Sequence, residues 1–123
     1  MSMRVDVDSA AVGAADVDGA DVDAARGSAL LKVLAEPLRW RIVKLLAAEE
    51  LCVCHLVEAL DVAQPLVSHH LRVLRNAALV ETSRHRYWTY YRLRPAALAS
   101  LGRAIGALAE AAPPAGYRRR PCC

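Results

Sequence analysis

A chain of 123 residues with 55% hydrophobic side chains is long enough for one domain with loose ends, its core built without a single Phe. No apolar run approaches the roughly 18 residues of a membrane span, and "MSMRVDVDSAAVG" has no basic-then-apolar leader, so the expected setting is cytoplasmic, with no membrane partner. The net charge of +3 hides an asymmetry: residues 1–25 carry six Asp against Arg4 (−5), and residues 26–123 carry fifteen Lys or Arg against seven Asp or Glu (+8), a balance that suits a polyanionic partner.

Residues 1–24 are a low-complexity mixture of Ala, Asp, Val and Gly with no helical stripe, and they read as a disordered acidic N-terminal tail. Such a tail either solubilises the chain or competes weakly with nucleic acid. From Ala25 the pattern changes. "ARGSALLKVLAEPLRWRIVKLLAAEE" predicts two helices parted at Pro37, one with Leu30, Leu31 and Leu34 inward, the next with Leu38, Ile42, Leu45 and Leu46 inward. "LCVCHLVEALDVAQPLVSHHLRVLRNAALV" predicts a short helix over about 52–60, a turn at "DVA", and a second helix from Gln64-Pro65. That helix buries Val67, Leu71, Leu74 and Ala78 and turns Pro65, Ser68, His69 and Arg72 outward, at i, i+3, i+4, i+7. This is a helix-turn-helix pattern.

Residues 79–93, "LVETSRHRYWTYYRL", are β-branched and aromatic and predict a β-hairpin, with "SRHR" as a basic connecting loop; the lack of Gly there argues against a tight two-residue turn. After Pro95, Leu98, Leu101, Ile105, Leu108 and Ala112 recur at helical steps, as on a helix that packs against a partner helix. "PPAG" at 113–116 ends it, and residues 113–123 form a flexible basic tail that closes on "RRRPCC". The expected fold is mainly α with a β-hairpin wing, a winged helix-turn-helix in the order ααααββα over residues 25–112.

Four cysteines in a reducing compartment point to metal binding or redox sensing rather than disulfides. Cys52 and Cys54 diverge by about 200° on a continuous helix. They converge on one ion only at a helix start, where the positive end of the helix also favours the thiolate. Two small buried core residues are the alternative. No nucleophile elbow, phosphate loop or zinc-protease helix is present, and the thiol pair is CxC rather than CxxC, so no enzyme is expected.

"LAEPLRWRIVKLL", "ELCVCHLVEAL", "QPLVSHHLRVLRNAALV" and "RYWTYYRL" together resemble the ArsR/SmtB family of metal- and metalloid-responsive repressors, over about residues 30–93. The resemblance implies a homodimer that binds double-stranded operator DNA and lets go when its inducer binds. It makes Cys52 and Cys54 ion ligands. It assigns helix 64–77 to the major groove, with Gln64 and Ser68 suited to base edges and His69 and Arg72 to bases or phosphate, alongside Pro65 on the same face. Arg84 and Arg86 of the wing would reach backbone or minor groove, and His85 is a phosphate contact or a plain loop residue.

The chain departs from the arsenic-responsive pattern "ELCVCxLC" at Val57, which stands where a third Cys is expected, and at His55, where Asp is common. His55 is either a borderline zinc ligand or a surface residue facing phosphate. A C-terminal-helix metal site is not expected, because residues 93–112 offer only Glu110 and no His. An N-terminal cysteine site is excluded, because residues 1–51 contain neither Cys nor His. A thiophilic inducer needs more than two sulfurs: As(III) takes three, and Cd, Pb or Zn three or four soft ligands. Cys122 and Cys123 are therefore expected to complete the site, with As(III) favoured and Cd, Pb or Zn as alternatives. A repressor whose thiols oxidise instead is the runner-up.

Overall fold

A computed structural model describes residues 24–119. The acidic tail expected over residues 1–24 falls outside them except for Ala24, which opens the first helix; Cys122 and Cys123 also lie outside. Helices and strands fill Ala24 to Ala111 in the order α1 Ala24–Ala35, α2 Pro37–Ala48, β1 Leu51–Cys52, α3 Val53–Leu60, α4 Gln64–Asn76, β2 Val80–His85, β3 Trp88–Leu93 and α5 Pro95–Ala111. None of the described helices is long and apolar enough to cross a membrane.

Pro37 occupies the first helical position of α2, where its missing N–H costs nothing. Glu36 caps that helix, its carboxylate accepting from the Arg39 backbone N–H at 2.9 Å. Asp61 ends α3 in the left-handed region (φ 56°), its N–H donating to the Val57 carbonyl at 2.8 Å. This short reversal sets α4 against α3 and makes the helix-turn-helix. At the far end of α4, Ala78 takes φ 62°; the Leu79 N–H reaches the Leu74 carbonyl and the Ala78 N–H that of Arg75, both at 3.0 Å. These two bonds form a Schellman cap. Ala78, expected on the stripe of α4, thus lies beyond the helix end, although it is buried.

The core joins Leu30 and Leu34 of α1, Ile42, Val43 and Leu46 of α2, Leu56 and Leu60 of α3, Val67, Leu71 and Leu74 of α4, with Leu79, Val80, Ala97 and Leu101. Leu31, expected inward, is exposed instead.

Two features of the sheet depart from expectation. The hairpin is the larger part of a three-stranded antiparallel sheet ordered β1-β3-β2, whose first strand is only Leu51–Cys52. The "SRHR" stretch is also not a loop: Ser83, Arg84 and His85 belong to β2, and His85 pairs with Trp88, which leaves Arg86-Tyr87 as a two-residue turn. Arg86 adopts φ 57° to make it. A non-glycine residue there costs on the order of 1 kcal/mol, which six paired positions of ladder offset.

Candidate nucleic-acid interface and thiol site

The burial of one face of α4 determines what the other face presents. Val67, His70, Leu71 and Leu74 point inward, so Gln64, Pro65, Leu66, His69 and Arg72 are exposed and Ser68 is half-buried among them. Arg75 and Asn76, in the last turn of the helix, are exposed as well. Arg84, His85, Arg86, Tyr87 and Trp88 form the exposed wing tip, with Tyr87 89% exposed. His85 is steadied by an edge contact with Tyr90 (5.5 Å between centroids) and lies 3.2 Å from the Ser83 hydroxyl. With Glu50, Arg84, Arg86, Trp88 and Tyr90 it lines an open cleft on the wing.

No ion pair among the described residues engages Arg72, Arg75, Arg84 or Arg86; the acids nearest the wing, Glu50 and Glu81, pair with Arg92 and Arg94. Unpaired guanidinium groups on a helix face and a wing tip are suited to phosphate and base edges. Tyr87 and Trp88, which sequence reasoning left aside, add aromatic surface at the tip. The register from the turn would have revealed them.

His70 was also passed over. It follows the outward His69, so the 100° step turns it inward beside Val67 and Leu74. The Arg39 guanidinium lies 3.1 Å from His70 Nδ1. Arg39 can only donate, so Nδ1 carries the lone pair and neutral His70 bears its proton on Nε2, 3.8 Å from Glu36 Oε1. Arg39 also donates from Nε to the Val33 carbonyl at 2.7 Å, so it ties α1, α2 and α4 together. Burial pushes the His70 pKa below 6.5 against the opposing pull of Glu36, and the Arg39 backbone N–H holds the Glu36 carboxyl below 4.5.

At the thiols, Cys52 is extended (φ −91°, ψ 171°) and caps α3, which is the non-helical geometry that convergence with Cys54 needs. It is 8% exposed, whereas Cys54, one residue into the helix beyond Val53, is exposed. Both described thiols are free. His55 turns back on Cys52: its Nδ1 accepts the Cys52 backbone N–H at 3.1 Å and lies 3.3 Å from Cys52 Sγ. His55 is exposed, as the surface reading expected, and its ring also turns toward the thiol. Among the described residues no three His, Cys, Asp or Glu side chains stand together as a ligand set.

A helix-turn-helix followed by a twisted hairpin and a closing helix defines a winged helix-turn-helix protein. Residues 36–82 match the family described as bacterial regulatory protein, arsR family. The chain is 46% identical over 67 residues to the arsenic resistance transcriptional regulator ArsR1 of Pseudomonas putida, covering 54% of this chain and 52% of that one. It therefore spans about half the length of that relative. Among solved structures it matches a possible transcriptional regulator for arsenical resistance (38% identity, TM-score 0.58, 63% of this chain and 81% of that one). It also matches the homodimeric winged helix-turn-helix domain of Mb0332 from Mycobacterium bovis (28% identity, TM-score 0.58, 70% and 80%). The chain belongs to the ArsR family of bacterial regulatory proteins.

Proposed function

We propose that the chain is a cytoplasmic, metal(loid)-responsive transcriptional repressor and not an enzyme: two copies hold operator DNA, and a thiophilic ion at cysteine thiolates releases it. The observation that carries this reading is the exposed, unpaired set Arg72, Arg84 and Arg86 beside Gln64, Pro65, Ser68 and His69, on the same small fold as a thiol at a helix start. The recognition helices of a two-fold dimer enter successive major grooves, about 34 Å apart. Residues 25–112 are the DNA-binding and dimerisation unit, and the segments on either side carry the acidic charge and the terminal thiols.

As(III) is the favoured inducer, bound by Cys52, Cys54 and Cys122 or Cys123. His55 supports a second reading. An imidazole nitrogen 3.3 Å from Cys52 Sγ makes a mixed sulfur–nitrogen set available, which suits Zn or Cd better than As(III). A mobility shift on the protein's own promoter, repeated ion by ion, tests the function. X-ray absorption on the loaded protein then separates three sulfurs from a shell containing nitrogen. Repeating the release under strong reductant separates ion sensing, which persists, from thiol oxidation, which does not. Truncation after Pro121 is expected to leave DNA binding intact and to weaken the As(III) response sharply. A truncated protein that releases DNA at the unchanged As(III) concentration removes Cys122 and Cys123 from the site.

A further inference from the structure

The exposed arginines of α4 and the wing outnumber the acids among them. From Gln64 at the start of α4 to Leu93 at the end of the wing there are five Arg (72, 75, 84, 86 and 92) and one acid, Glu81, a balance of +4. Glu81 is taken by Arg92 at 2.6 Å and Arg94 at 3.7 Å, and Glu50 by Arg92 at 3.8 Å. Arg72, Arg75, Arg84 and Arg86, on α4 and the wing, are exposed and make no ion pair among the described residues; Glu50 shares the wing cleft with Arg84 and Arg86 but pairs with Arg92.

The missing charge is present elsewhere in the same sequence. Residues 1–23 carry six Asp against Arg4, −5 in all, and hold no aromatic residue and no Leu or Ile. The Asp residues come as three pairs two apart, 6/8, 16/18 and 21/23. A pair with that spacing, laid extended on a surface, offers two carboxylates on one side about 6.6 Å apart. Twenty-three residues at about 3.4 Å each reach as far as about 78 Å, more than the width of a domain this size. Tethering makes the encounter intramolecular, at an effective concentration on the order of millimolar.

We propose that residues 1–23 are an intramolecular polyanion that occupies the exposed face of α4 and the wing in the absence of DNA and competes with the operator for Arg72, Arg75, Arg84 and Arg86. The competitor of DNA on this surface is thus a segment of the same chain. It lowers the apparent affinity of the repressor at low salt and makes that affinity less salt-dependent, because salt weakens the competitor together with the DNA contact. The inference rests on the DNA-reading role proposed for that surface, and the measurements below separate the two.

The test uses the full chain with Asp6, Asp8, Asp16, Asp18, Asp21 and Asp23 all changed to Asn. Length and reach are kept, and Asn has the shape of Asp without the charge. Operator binding at 50 mM salt should tighten about fivefold relative to wild type. At 300 mM salt the two proteins should agree within about 1.5-fold, because exposed pairs are screened. Without DNA, the backbone amide resonances of Arg72, Arg84 and Arg86 should differ between wild type and variant at low salt and merge at high salt. Equal operator affinity at 50 mM salt together with unchanged amide spectra overturns the proposal, and so does a shift confined to other parts of the domain. If neither protein binds any promoter fragment while the amide shifts are seen, the DNA reading fails and the segment contact stands.

Discussion

Cys52 and Tyr90 stand opposite one another across the β1–β3 ladder. Their side chains share one face of the sheet, the face that also carries Ser83 of β2. The His55 ring, which receives the Cys52 backbone N–H, lies 6.3 Å from Tyr90, and Tyr90 holds His85 of the wing at 5.5 Å. The thiol is therefore packed into the sheet that carries the wing. An ion that pulls Cys52 toward Cys54 has to shift the start of α3, the edge strand, or both. Coupling between effector and DNA sites is commonly worth about 1–3 kcal/mol, a scale that loss of the short β1 pairing can supply.

His55→Ala removes the acceptor of the Cys52 N–H and half of the reciprocal cap of α3. Urea unfolding should show a loss of about 1 kcal/mol. If His55 is a ligand, its removal weakens Zn-driven release and leaves As(III)-driven release unchanged. The pair of ion titrations on one variant therefore decides between the sulfur-only and the mixed site.

Arg72→Ala and Ser68→Ala should each cost about 1–3 kcal/mol of operator binding where a base contact is lost, and each should relax specificity at one position. Arg86→Ala should instead weaken binding to all sequences alike and lower the salt slope by about 1. Quantitative mobility shifts on operator and unrelated DNA, at several salt concentrations, check both. Equal losses on both DNAs for Arg72→Ala would move it from reading bases to holding phosphate.

His70 makes stability depend on pH. Its pKa is lowered by burial, so the unfolded chain binds the proton more readily than the folded one. Its contribution is complete above about 6.5 and is lost as pH falls from there through the lower folded value, with a slope up to about 1.4 kcal/mol per pH unit. The lowered pKa of Glu36 acts in the same direction below 4.5. His70→Gln keeps an acceptor for Arg39 without the titration, so it should flatten thermal stability between pH 7.5 and 5.5. A variant with the wild-type slope would assign the effect to another group.

Ala78 holds a left-handed backbone position at the cap of α4 that favours glycine. Ala78→Gly relieves that strain, partly offset by the greater freedom of Gly in the unfolded chain and the loss of one buried methyl. A net gain of about 0.5–1 kcal/mol in denaturant unfolding is expected.

Most of the fold was legible because long periodic segments report on themselves. The buried positions of α4 follow from spacing, and Pro37 and Pro65 mark two helix starts. The misses are places where the period is too short or the rule is overridden. Two residues of β1 carry no alternation; only β3, more than thirty residues on, makes Leu51–Cys52 a strand. The turn at Arg86-Tyr87 lacks Gly, and the paired strands impose it regardless. The outward residues of α4 emerged from the sequence because they are what burial leaves over. The His55–Cys52 contact did not, because an i, i+3 pair at a helix start acts as a cap only once the cap residue is extended.

α5 carries the last prediction. Ala97, Ser100 and Leu101 bury its first half against its own domain, but Ile105 (48% exposed) and Leu108 (73%) continue the stripe into solvent. A Cβ added at Gly102 or Gly106 meets nothing within 4 Å in its own protomer. An apolar stripe flanked by two glycines four apart is suited to close packing against a second helix, and the second copy of α5 in a two-fold dimer supplies it. Leu108→Lys should therefore leave the unfolding midpoint of a dilute sample nearly unchanged and shift sedimentation toward the monomer. Operator binding should fall at least tenfold, because one half-site contact must then hold alone. Gly106→Ala separates the roles of propensity and packing: in an isolated helix it stabilises by about 0.5–1 kcal/mol, whereas at a close helix crossing it weakens the dimer. Sedimentation equilibrium across concentration should show the second outcome, and a Leu108→Lys protein that stays dimeric would place the interface elsewhere.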